Sequence, residues 1–278
     1  KRFVMLRRKM SKKRRLLGKK EILKSVSNRT KEALTDLVIL DITGSTNDEA
    51  KKKLSEIVSF NQSYAVFAEQ QLSGRGRSGK KWVSPANLNI YFSLAWKSLL
   101  KPSELEGLSL SVAVVVSKKL KPILTESLKI KWPNDLFIGG KKVGGILVET
   151  SSNQEETGIV VGVGLNVLMS DKEGASIDQD WTSLNQYQEK ELDRNLIAGL
   201  VLDAVLELKS NFEEKGFCHY KALFEEVNLL KNSECVVTLD KETLTGKVVG
   251  VTDKGELIFT ENEKTHHLRY GEVSLRKI

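Results

Sequence analysis

A stretch rich in glycine and cationic residues, "SGRGRSGKKW" at 73–82, constrains the fold more than any other part of the sequence. Its three glycines match the G-x-G-x-x-G dinucleotide fingerprint, and the same run falls one hydroxyl short of a P-loop. Both of those phosphate sites need the glycines to open a helix, whose N-terminus supplies free N–H groups and positive potential. The residues that follow, "WVSPANLNIYFSLAW", instead predict a turn and then a strand from Asn89 to Trp96. The sequence therefore predicts a strand-to-strand loop and excludes both nucleotide folds.

The loop can bind an anion through its own groups. Glycine permits positive φ and close approach of backbone N–H groups, which can form an anion-binding nest. Cationic donors come from Arg75, Arg77, Lys80 and Lys81, and Trp82 offers an aromatic face for stacking. From this stretch alone, an anion site and a flexible basic surface loop are about equally supported.

Composition indicates a globular chain. With 278 residues, of which 40% are hydrophobic, it has room for one large domain and a small one. Its two cysteines, Cys218 and Cys235, argue against a disulfide framework and favour a reducing compartment. No apolar run approaches the ~18 residues that a membrane span requires. We expect a cytoplasmic protein that does not associate with a membrane.

The net charge of +8 is concentrated at the N-terminus. Residues 1–20 contain eleven Lys or Arg and no acid, so the remainder carries 33 basic against 36 acidic residues and is mildly acidic. We interpret residues 1–36 as a basic N-terminal extension that is partly disordered and solvated. Organelle targeting and a contact with nucleic acid stay open as alternatives for this segment.

Apolar periodicity predicts alternating helices and strands. Thr46 and Glu49 stand at capping-box spacing before an apolar stripe, which predicts a helix ending near Phe60. Two further helices are predicted at 108–120 and at 196–215, the second with a glycine C-cap. "YAVFAE" and "GIVVGVGLNVL" predict buried strands, and "SLKIKWPNDLFIGGKKVGGILVET" predicts a strand, a Pro-Asn-Asp turn and a Gly-Gly hairpin.

Two lysines lie at the ends of otherwise apolar strands. Lys142 precedes Gly144 and Gly145, which leave a patch without side chains where a ligand can lie flat, and Lys131 ends the strand before it. A lysine at a strand end is more often an exposed charge. Its combination with the Arg-Gly loop favours a ligand site.

Five motifs, in this order, resemble the successive motifs of biotin protein ligases. They are "GSTN" at 44–47, "AEQQLSGRGRSGKKW" at 68–82, "KWPNDL" at 131–136, "KVGGILVE" at 142–149 and "GVGLNV" at 162–167. The resemblance runs from about Ile39 to the C-terminus, where short predicted strands look like that family's small last domain.

The resemblance implies an α+β fold in two domains. Residues 37–230 would form the catalytic domain, a central mixed β-sheet flanked by helices, which is the biotin-lipoate ligase fold related to class II aminoacyl-tRNA synthetases. Residues 231–278 would form a small C-terminal SH3-like β-barrel, in agreement with the short strands and turn residues there.

The resemblance also implies the reaction. An ATP-dependent ligase would activate biotin as biotinyl-5′-AMP and transfer it to a lysine of a biotin carboxyl carrier protein. Because both nucleophiles arrive with the substrates, such an enzyme needs cations where negative charge develops and a site that excludes water. The sequence agrees, since it has three histidines and no G-x-S-x-G motif.

Matching positions imply a biotin site. Lys142 would hold the biotin carboxylate and stabilise charge at the reacting phosphorus, and Arg77 would share that catalytic task. Short polar side chains would hydrogen-bond the ureido ring, and parts of the loop would close over the ligand. The implied biotin-binding residues are Ser45, Thr46, Asn47, Gln71, Arg75, Gly76, Arg77, Lys142, Gly144 and Gly145.

A second set of positions is implied for ATP: Arg77, Lys80, Trp82, Lys131, Asn134, Asp135, Asn166 and Arg276. Asp135 is also the candidate ligand for Mg²⁺, since a hard cation prefers oxygen ligands. Capping of the Pro-Asn-Asp bend is an equal alternative for Asp135 and for Asn134. Ser78 and Lys80 stand where many relatives carry arginine, a departure that leaves the reaction intact but weakens the expected hold on the adenylate phosphate.

Two other functions stay open: a lipoate or octanoate ligase of the same superfamily, and a DNA-binding regulator that senses biotin. The Arg-Gly loop and the C-terminal strands favour the biotin branch. Fewer than 40 residues precede the first predicted catalytic strand, "DLVILDI", whereas an independent DNA-binding domain needs roughly 60, so we expect no specific DNA binding. Pairing of sheet edges into a homodimer is a further expectation.

Overall fold

The computed structural model describes residues 15–239, 242–269 and 274–277, the last four as backbone. Residues 1–14 of the basic N-terminal extension and the side chain of Arg276 therefore lie outside the described part. Within the described ranges, no helix combines the length and the apolar character needed to cross a membrane. Cys218 and Cys235 are both free thiols.

A seven-stranded mixed sheet forms the centre of the molecule. Its strands are β1 Asp36–Thr43, β2 Tyr64–Gln71, β3 Ile90–Ser98, β4 Lys129–Lys131, β5 Asp135–Ile138, β6 Lys141–Ser152 and β7 Thr157–Leu165. They lie in the order β1-β2-β3-β7-β6-β5-β4, and only β1 and β2 pair in parallel within this sheet. The predicted central mixed sheet is confirmed.

Helices cover both faces of this sheet. They are α1 Lys19–Leu23, α2 Asn28–Lys31, α3 Thr46–Lys53, α4 Leu108–Leu120, α5 Asp171–Gly174, α6 Arg194–Lys215 and α7 Cys218–Val227. The long helices α4 and α6 pack against each other and against one face, where the rings of Phe67 and Phe92 stack with centroids 4.7 Å apart. Helix α3 covers part of the opposite face, above Val66, Ala95 and Val160. Because successive side chains along a strand point to opposite faces of the sheet, different residues pack under the helices on each face.

Helix α3 is shorter than the sequence predicts. The predicted capping box at Thr46 and Glu49 is wrong, because Ser45 is the N-cap and its side chain makes no capping hydrogen bond. The helix ends at Lys53 and continues only as a short 3₁₀ turn, well before Phe60. Ile57 has extended backbone and is 2% exposed, so burial of this β-branched side chain ends the helical segment.

Residues 15–34 belong to the main core, although the sequence analysis assigned them to the extension. Leu17, Ile22 and Val26 are buried in the same cluster as α4 and α6. Helix α1 approaches α6 so closely that a Cβ on Gly199 would lie 2.3 Å from the Ile22 carbonyl oxygen. Three apolar side chains so widely spaced among lysines give no clear periodicity, which is why the sequence alone did not reveal them.

The C-terminal unit is a five-stranded antiparallel sheet, in agreement with the predicted SH3-like domain. Its strands are β8 Glu234–Thr238, β9 Thr243–Val251, β10 Leu257–Glu261, β11 Lys264–Leu268 and β12 Ser274–Lys277, in the order β11-β10-β9-β8-β12. The unit docks on the turn between β4 and β5, where the Trp132 indole N–H donates to the Gly255 carbonyl at 2.9 Å. It also contacts α7 through a 2.9 Å hydrogen bond from Val251 N–H to Glu225.

A buried ion pair ties the N-terminal segment to the sheet. Arg194 and Glu69 form this pair with side chains 2% and 4% exposed, and the Leu17 N–H donates to Glu69 Oε1 at 2.6 Å. We predict that Arg194→Met lowers the free energy of unfolding by about 3–5 kcal/mol, because it leaves a buried carboxylate without its cation. Urea unfolding measures this change.

Lys24→Met serves as the control, because Lys24 pairs with Glu21 at the surface and its side chain is 68% exposed. This control should leave the unfolding free energy close to that of the wild type, because an exposed ion pair contributes little to stability. Equal effects of the two substitutions would show that the buried pair does not tie the segment down.

Candidate functional site

A patch of sheet without side chains forms the floor of the candidate site. Gly162 and Gly164 of β7 and Gly145 of β6 face the same side, and Gly145 pairs directly with Gly164. A Cβ on Gly162 would lie 2.3 Å from Asn47 Oδ1, and one on Gly164 would lie 2.7 Å from the indole of Trp82. Asn47 and Trp82 therefore rest directly on backbone, which we call the glycine floor.

The first turn of α3 and the end of β2 build a polar slot over this floor. Gln71 Oε1 accepts from the Thr46 N–H at 2.8 Å and from the Thr46 hydroxyl at 3.1 Å. Ser93 Oγ on β3 lies 2.8 Å from Thr46 Oγ1 and 2.6 Å from Asn47 Oδ1. Asn47 Nδ2 donates to Glu149 Oε2 at 2.6 Å. The slot thus holds hydroxyl and amide groups in fixed positions, with the Glu149 carboxylate as a partner of Asn47, as recognition of a small polar ring requires.

The Arg-Gly loop folds back on itself as a narrow hairpin. The Gly76 N–H donates to the Lys80 carbonyl at 2.6 Å, and the Trp82 N–H donates to the Gly74 carbonyl at 2.9 Å. Ser78 at the tip has a φ of 53°, in the left-handed region. No α-helix begins in this fully described stretch, which confirms the predicted strand-to-strand loop.

Arg75 points from the loop to α3. Its guanidinium forms two hydrogen bonds to the Asp48 carboxylate, at 2.7 and 2.6 Å, and lies 3.6 Å from Glu149 Oε1. The hydrogen bonds from Arg75 hold the pKa of Asp48 below its usual value. Arg75 was predicted on the biotin side, and the structure joins its side chain to two carboxylates beside the slot.

Lys142 lies on the other side of the glycine floor. Its Nζ is 2.9 Å from Asp135 Oδ1 and 5.7 Å from the centroid of the Trp82 ring, and its side chain is 15% exposed. Two backbone hydrogen bonds fix Lys142: its N–H donates to the Asp180 carbonyl, and its carbonyl accepts from the Thr182 N–H. The indole N–H of Trp82 is buried without a hydrogen-bond partner among the described residues. Such an orphan donor beside a cation is well suited to a polar ligand.

Arg77 connects the loop to the turn between β4 and β5. Its Nη1 lies 3.4 Å from Asn134 Oδ1. Asn134 is itself held by β6, since its Nδ2 donates to the Ile146 carbonyl at 2.7 Å and its carbonyl accepts from the Ile146 N–H at 2.9 Å. Asn134 is therefore a turn residue and a partner of Arg77 at the same time.

Some predicted residues lie beside the site rather than in it. Gly144 faces the opposite side of the sheet, where an added Cβ would lie 2.6 Å from Leu165. Ser45 is buried as the N-cap of α3, but its hydroxyl does not cap the helix. Lys80 is exposed near the tip of the loop.

The remaining predicted nucleotide residues are less central. Lys131 lies with its Nζ 5.9 Å from the centroid of the Phe137 ring. The Asn166 amide is buried and already engaged, because Nδ2 donates to the Thr182 carbonyl at 3.1 Å. The side chain of Arg276 is outside the described residues.

Sequence reasoning missed three polar residues of the site: Asp48, Ser93 and Glu149. Asp48 directly follows the "GSTN" motif, and Glu149 is the last residue of "KVGGILVE". Ser93 is the single polar residue in the buried run "IYFSLAW". Two features of the sequence could have revealed these residues. One is a polar residue within a buried strand, and the other is a carboxylate next to or at the end of a motif.

Comparison with known proteins agrees with this geometry. The sequence profile of the biotin/lipoate A/B protein ligase family matches residues 39–166, and that of the biotin protein ligase C-terminal domain matches residues 232–276. The bifunctional ligase/repressor BirA of Escherichia coli (strain K12) is 32% identical over 244 residues, which are 86% of this chain and 74% of that protein. The biotin–[acetyl-CoA-carboxylase] ligase of Mycobacterium tuberculosis is 33% identical over 164 residues, 58% of this chain and 59% of that protein.

A solved structure, the biotin protein ligase from Aquifex aeolicus in complex with biotin and ATP, superimposes with a TM-score of 0.72. It is 31% identical and covers 88% of this chain and 100% of that one. The similarity therefore spans both the central sheet and the C-terminal sheet. The chain belongs to the biotin protein ligase family.

The glycine floor generates a testable prediction. We expect Gly162→Ala to lower the free energy of unfolding by about 1–3 kcal/mol, because the added methyl collides with an Asn47 amide that is held at both ends. Gly44→Ala is the matched control, since an added Cβ there meets nothing within 4 Å. Thermal unfolding compares the two variants, and a Gly162→Ala protein as stable as the control would mean that Asn47 does not rest on the floor.

Proposed function

We propose that this protein is an ATP-dependent ligase that converts biotin to biotinyl-5′-AMP and transfers the biotinyl group to a lysine of an acceptor protein. The observation that carries the proposal is a polar slot and a partly buried lysine on opposite sides of one glycine floor. A neutral ring at the slot and a reacting carboxylate at Lys142 are the two ends of a biotin molecule.

The slot suits the ureido ring. Thr46, Asn47, Ser93 and Gln71 supply hydroxyl and amide groups at 2.6–3.1 Å from one another, next to the glycines of β7. A site built to hydrogen-bond the N–H and C=O groups of a substrate rejects analogues without them, because its own buried groups would stay unpaired. The slot therefore favours biotin over lipoate and octanoate, which lack a ureido ring.

Lys142 and Arg77 suit the adenylation step. A carboxylate oxygen of biotin attacks the α-phosphorus of ATP, a new O–P bond forms, and the bond to the pyrophosphate leaving group breaks. Both the carboxylate and the phosphoryl oxygens are anionic, so fixed cations next to them lower the repulsion between them. Lys142 is held beside the floor by Asp135, and Arg77 is held by the adjacent residue, Asn134.

ATP would lie at the Trp82 side of the floor. The unpartnered indole N–H of Trp82 and the exposed Lys80 are the donors available there, with Lys131 at the end of β4. Asn166 would act indirectly, since its N–H donates to the Val143 carbonyl and so fixes the strand that carries Lys142.

Asp135 fits a role in Mg²⁺ binding. The described residues hold no group of three or more His, Cys, Asp or Glu that could enclose a metal ion. Mg²⁺ does not need such a cage, because it keeps several waters and binds through one or two carboxylates plus substrate phosphates. When bound, the ion would neutralise charge on the phosphates of ATP.

Transfer completes the cycle. The amine of an acceptor lysine attacks the acyl carbon of the adenylate, an amide bond forms, and AMP leaves. We propose a biotin carboxyl carrier protein as the acceptor, with support from the name of the Mycobacterium tuberculosis relative, a biotin–[acetyl-CoA-carboxylase] ligase. A cytoplasmic location and a homodimer stay predictions, and DNA binding stays an unfavoured alternative. No observation favours lipoate or octanoate.

The adenylation half-reaction is tested by exchange of labelled pyrophosphate into ATP. We predict exchange with biotin and not with lipoate or octanoate. Lys142→Ala should lower the exchange rate by about 10²–10³, the usual effect of removing one group that stabilises developing charge. Lys141→Ala is the matched control, since its exposed neighbouring side chain should be dispensable. Exchange that survives in Lys142→Ala would remove this lysine from the reaction.

The hold on the intermediate is tested with Arg77→Gly. We expect this variant to form biotinyl-5′-AMP and release it early, because one of the two cations beside the phosphate is lost. Ser78→Gly controls for backbone freedom, since Ser78 already has positive φ and glycine adopts that conformation without strain. Free adenylate is followed by chromatography over time. Equal retention by Arg77→Gly and the wild type would contradict the assignment.

A further inference from the structure

The Arg75–Asp48 ion pair is a tether between the glycine loop and α3. Its two ends are 27 residues apart in sequence, and both hydrogen bonds are short, at 2.7 and 2.6 Å. A bidentate pair of an arginine and a carboxylate fixes the relative orientation of the two side chains as well as the distance between them. The pair therefore determines where the loop lies relative to the first turn of α3.

The tether is placed directly beside the polar slot. Asp48 follows Thr46 and Asn47 in the same helical turn. Glu149 joins the two features from the sheet, since one of its oxygens accepts from Asn47 Nδ2 and the other lies 3.6 Å from Arg75. A loop that is tethered here lies next to the slot, since a Cβ on Gly74 would lie 3.0 Å from Gln71 Nε2, and its opposite end, at Trp82, covers the glycine floor at Gly164.

The charges around Asp48 favour its ionised form. Arg75 is the largest influence, followed at longer range by Lys51 and Lys52 on the same helix. Lys52 is itself engaged with Glu49 at 2.9 Å. Asp48 also lies in the first turn of α3, where the helix dipole stabilises a carboxylate. Asp48 therefore stays an anion and a partner for Arg75 at neutral pH.

The exposure of the pair suits a contact that opens and closes. The side chains of Arg75 and Asp48 are 34% and 49% exposed. A half-exposed ion pair contributes little to the stability of a fold, unlike the buried Arg194–Glu69 pair. It can break and re-form without unfolding the domain, while it still biases the loop towards the closed position.

We propose that Asp48 is a positioning residue that, through Arg75, holds the glycine loop closed over the bound acyl-adenylate and slows its escape. The inference rests on the proposed function for the identity of the ligand. It assigns a role to Asp48, which the motifs alone did not indicate. It also means that the Arg75 side chain binds α3 through Asp48, whereas the sequence analysis predicted that it binds biotin.

The first test is a double-substitution cycle on adenylate release. Preformed biotinyl-5′-AMP is chased from Asp48→Asn, Arg75→Gln and the double variant, and melting temperatures are recorded for all three. We expect release about fivefold faster in each single variant, as for the loss of one half-exposed pair, with melting temperatures close to that of the wild type. The double variant should release the adenylate no faster than either single variant, because the two residues act through each other.

A second test does not depend on the ligand. Trypsin cuts after Arg77, Lys80 and Lys81, three sites that Asp48→Asn leaves in place. Cleavage at these sites in the ligand-free protein should be about fivefold faster in Asp48→Asn than in the wild type. Glu56→Gln is the matched control, since Glu56 forms a comparable 2.8 Å pair with Lys53 just beyond the other end of α3. It should be cut at the wild-type rate.

The outcomes separate this inference from the proposed function. Suppose that trypsin cuts Asp48→Asn faster than the wild type, but that the protein forms no biotinyl-5′-AMP. This result would support the tether and contradict the proposed ligand. Normal adenylate formation with unchanged cutting and unchanged release in Asp48→Asn would overturn the tether alone. Faster release in Arg75→Gln but not in Asp48→Asn would overturn it as well, since Arg75 would then act on the ligand directly.

Discussion

The missing side chains at Gly145, Gly162 and Gly164 are the constraint on which the rest of the site depends. Because strand residues alternate between faces, these glycines clear one side of the sheet while the neighbouring Ile146, Val161 and Val163 fill the core under α4 and α6. The cleared side lets Asn47 and Trp82 rest directly on backbone. The first turn of α3, the Arg-Gly loop and Lys142 are arranged around this floor.

The placement of charge on this floor matches a reaction whose nucleophiles are both supplied by substrates. Neutral polar groups are gathered at the slot, while Lys142 and Arg77 stand where anionic oxygens meet. In the ligand-free protein each cation already has an oxygen partner, Asp135 for the lysine and Asn134 for the arginine. These partners fix the side chains before substrate arrives, so less ordering is required during the reaction.

Local features of the fold and site were predictable from the sequence, and features set by distant contacts were not. The turn after Lys131, the Gly-Gly hairpin and the absence of a helix after the loop depend on nearby residues. The end of α3 depends on burial of Ile57 against the sheet, which no local pattern encodes. The partner of Arg75 is similarly hidden, since only the fold brings Asp48 within reach of the loop.

A crystal structure of the protein with biotin and ATP would test the central claim most directly. The account predicts a ligand lying on the glycine floor, with its ureido ring at Thr46, Asn47 and Gln71 and its phosphate beside Lys142. The account would be contradicted if no ligand lay on the glycine floor and the ligand were bound instead in the open cavity at the far end of the sheet, lined by Lys97, Ser152 and Glu156.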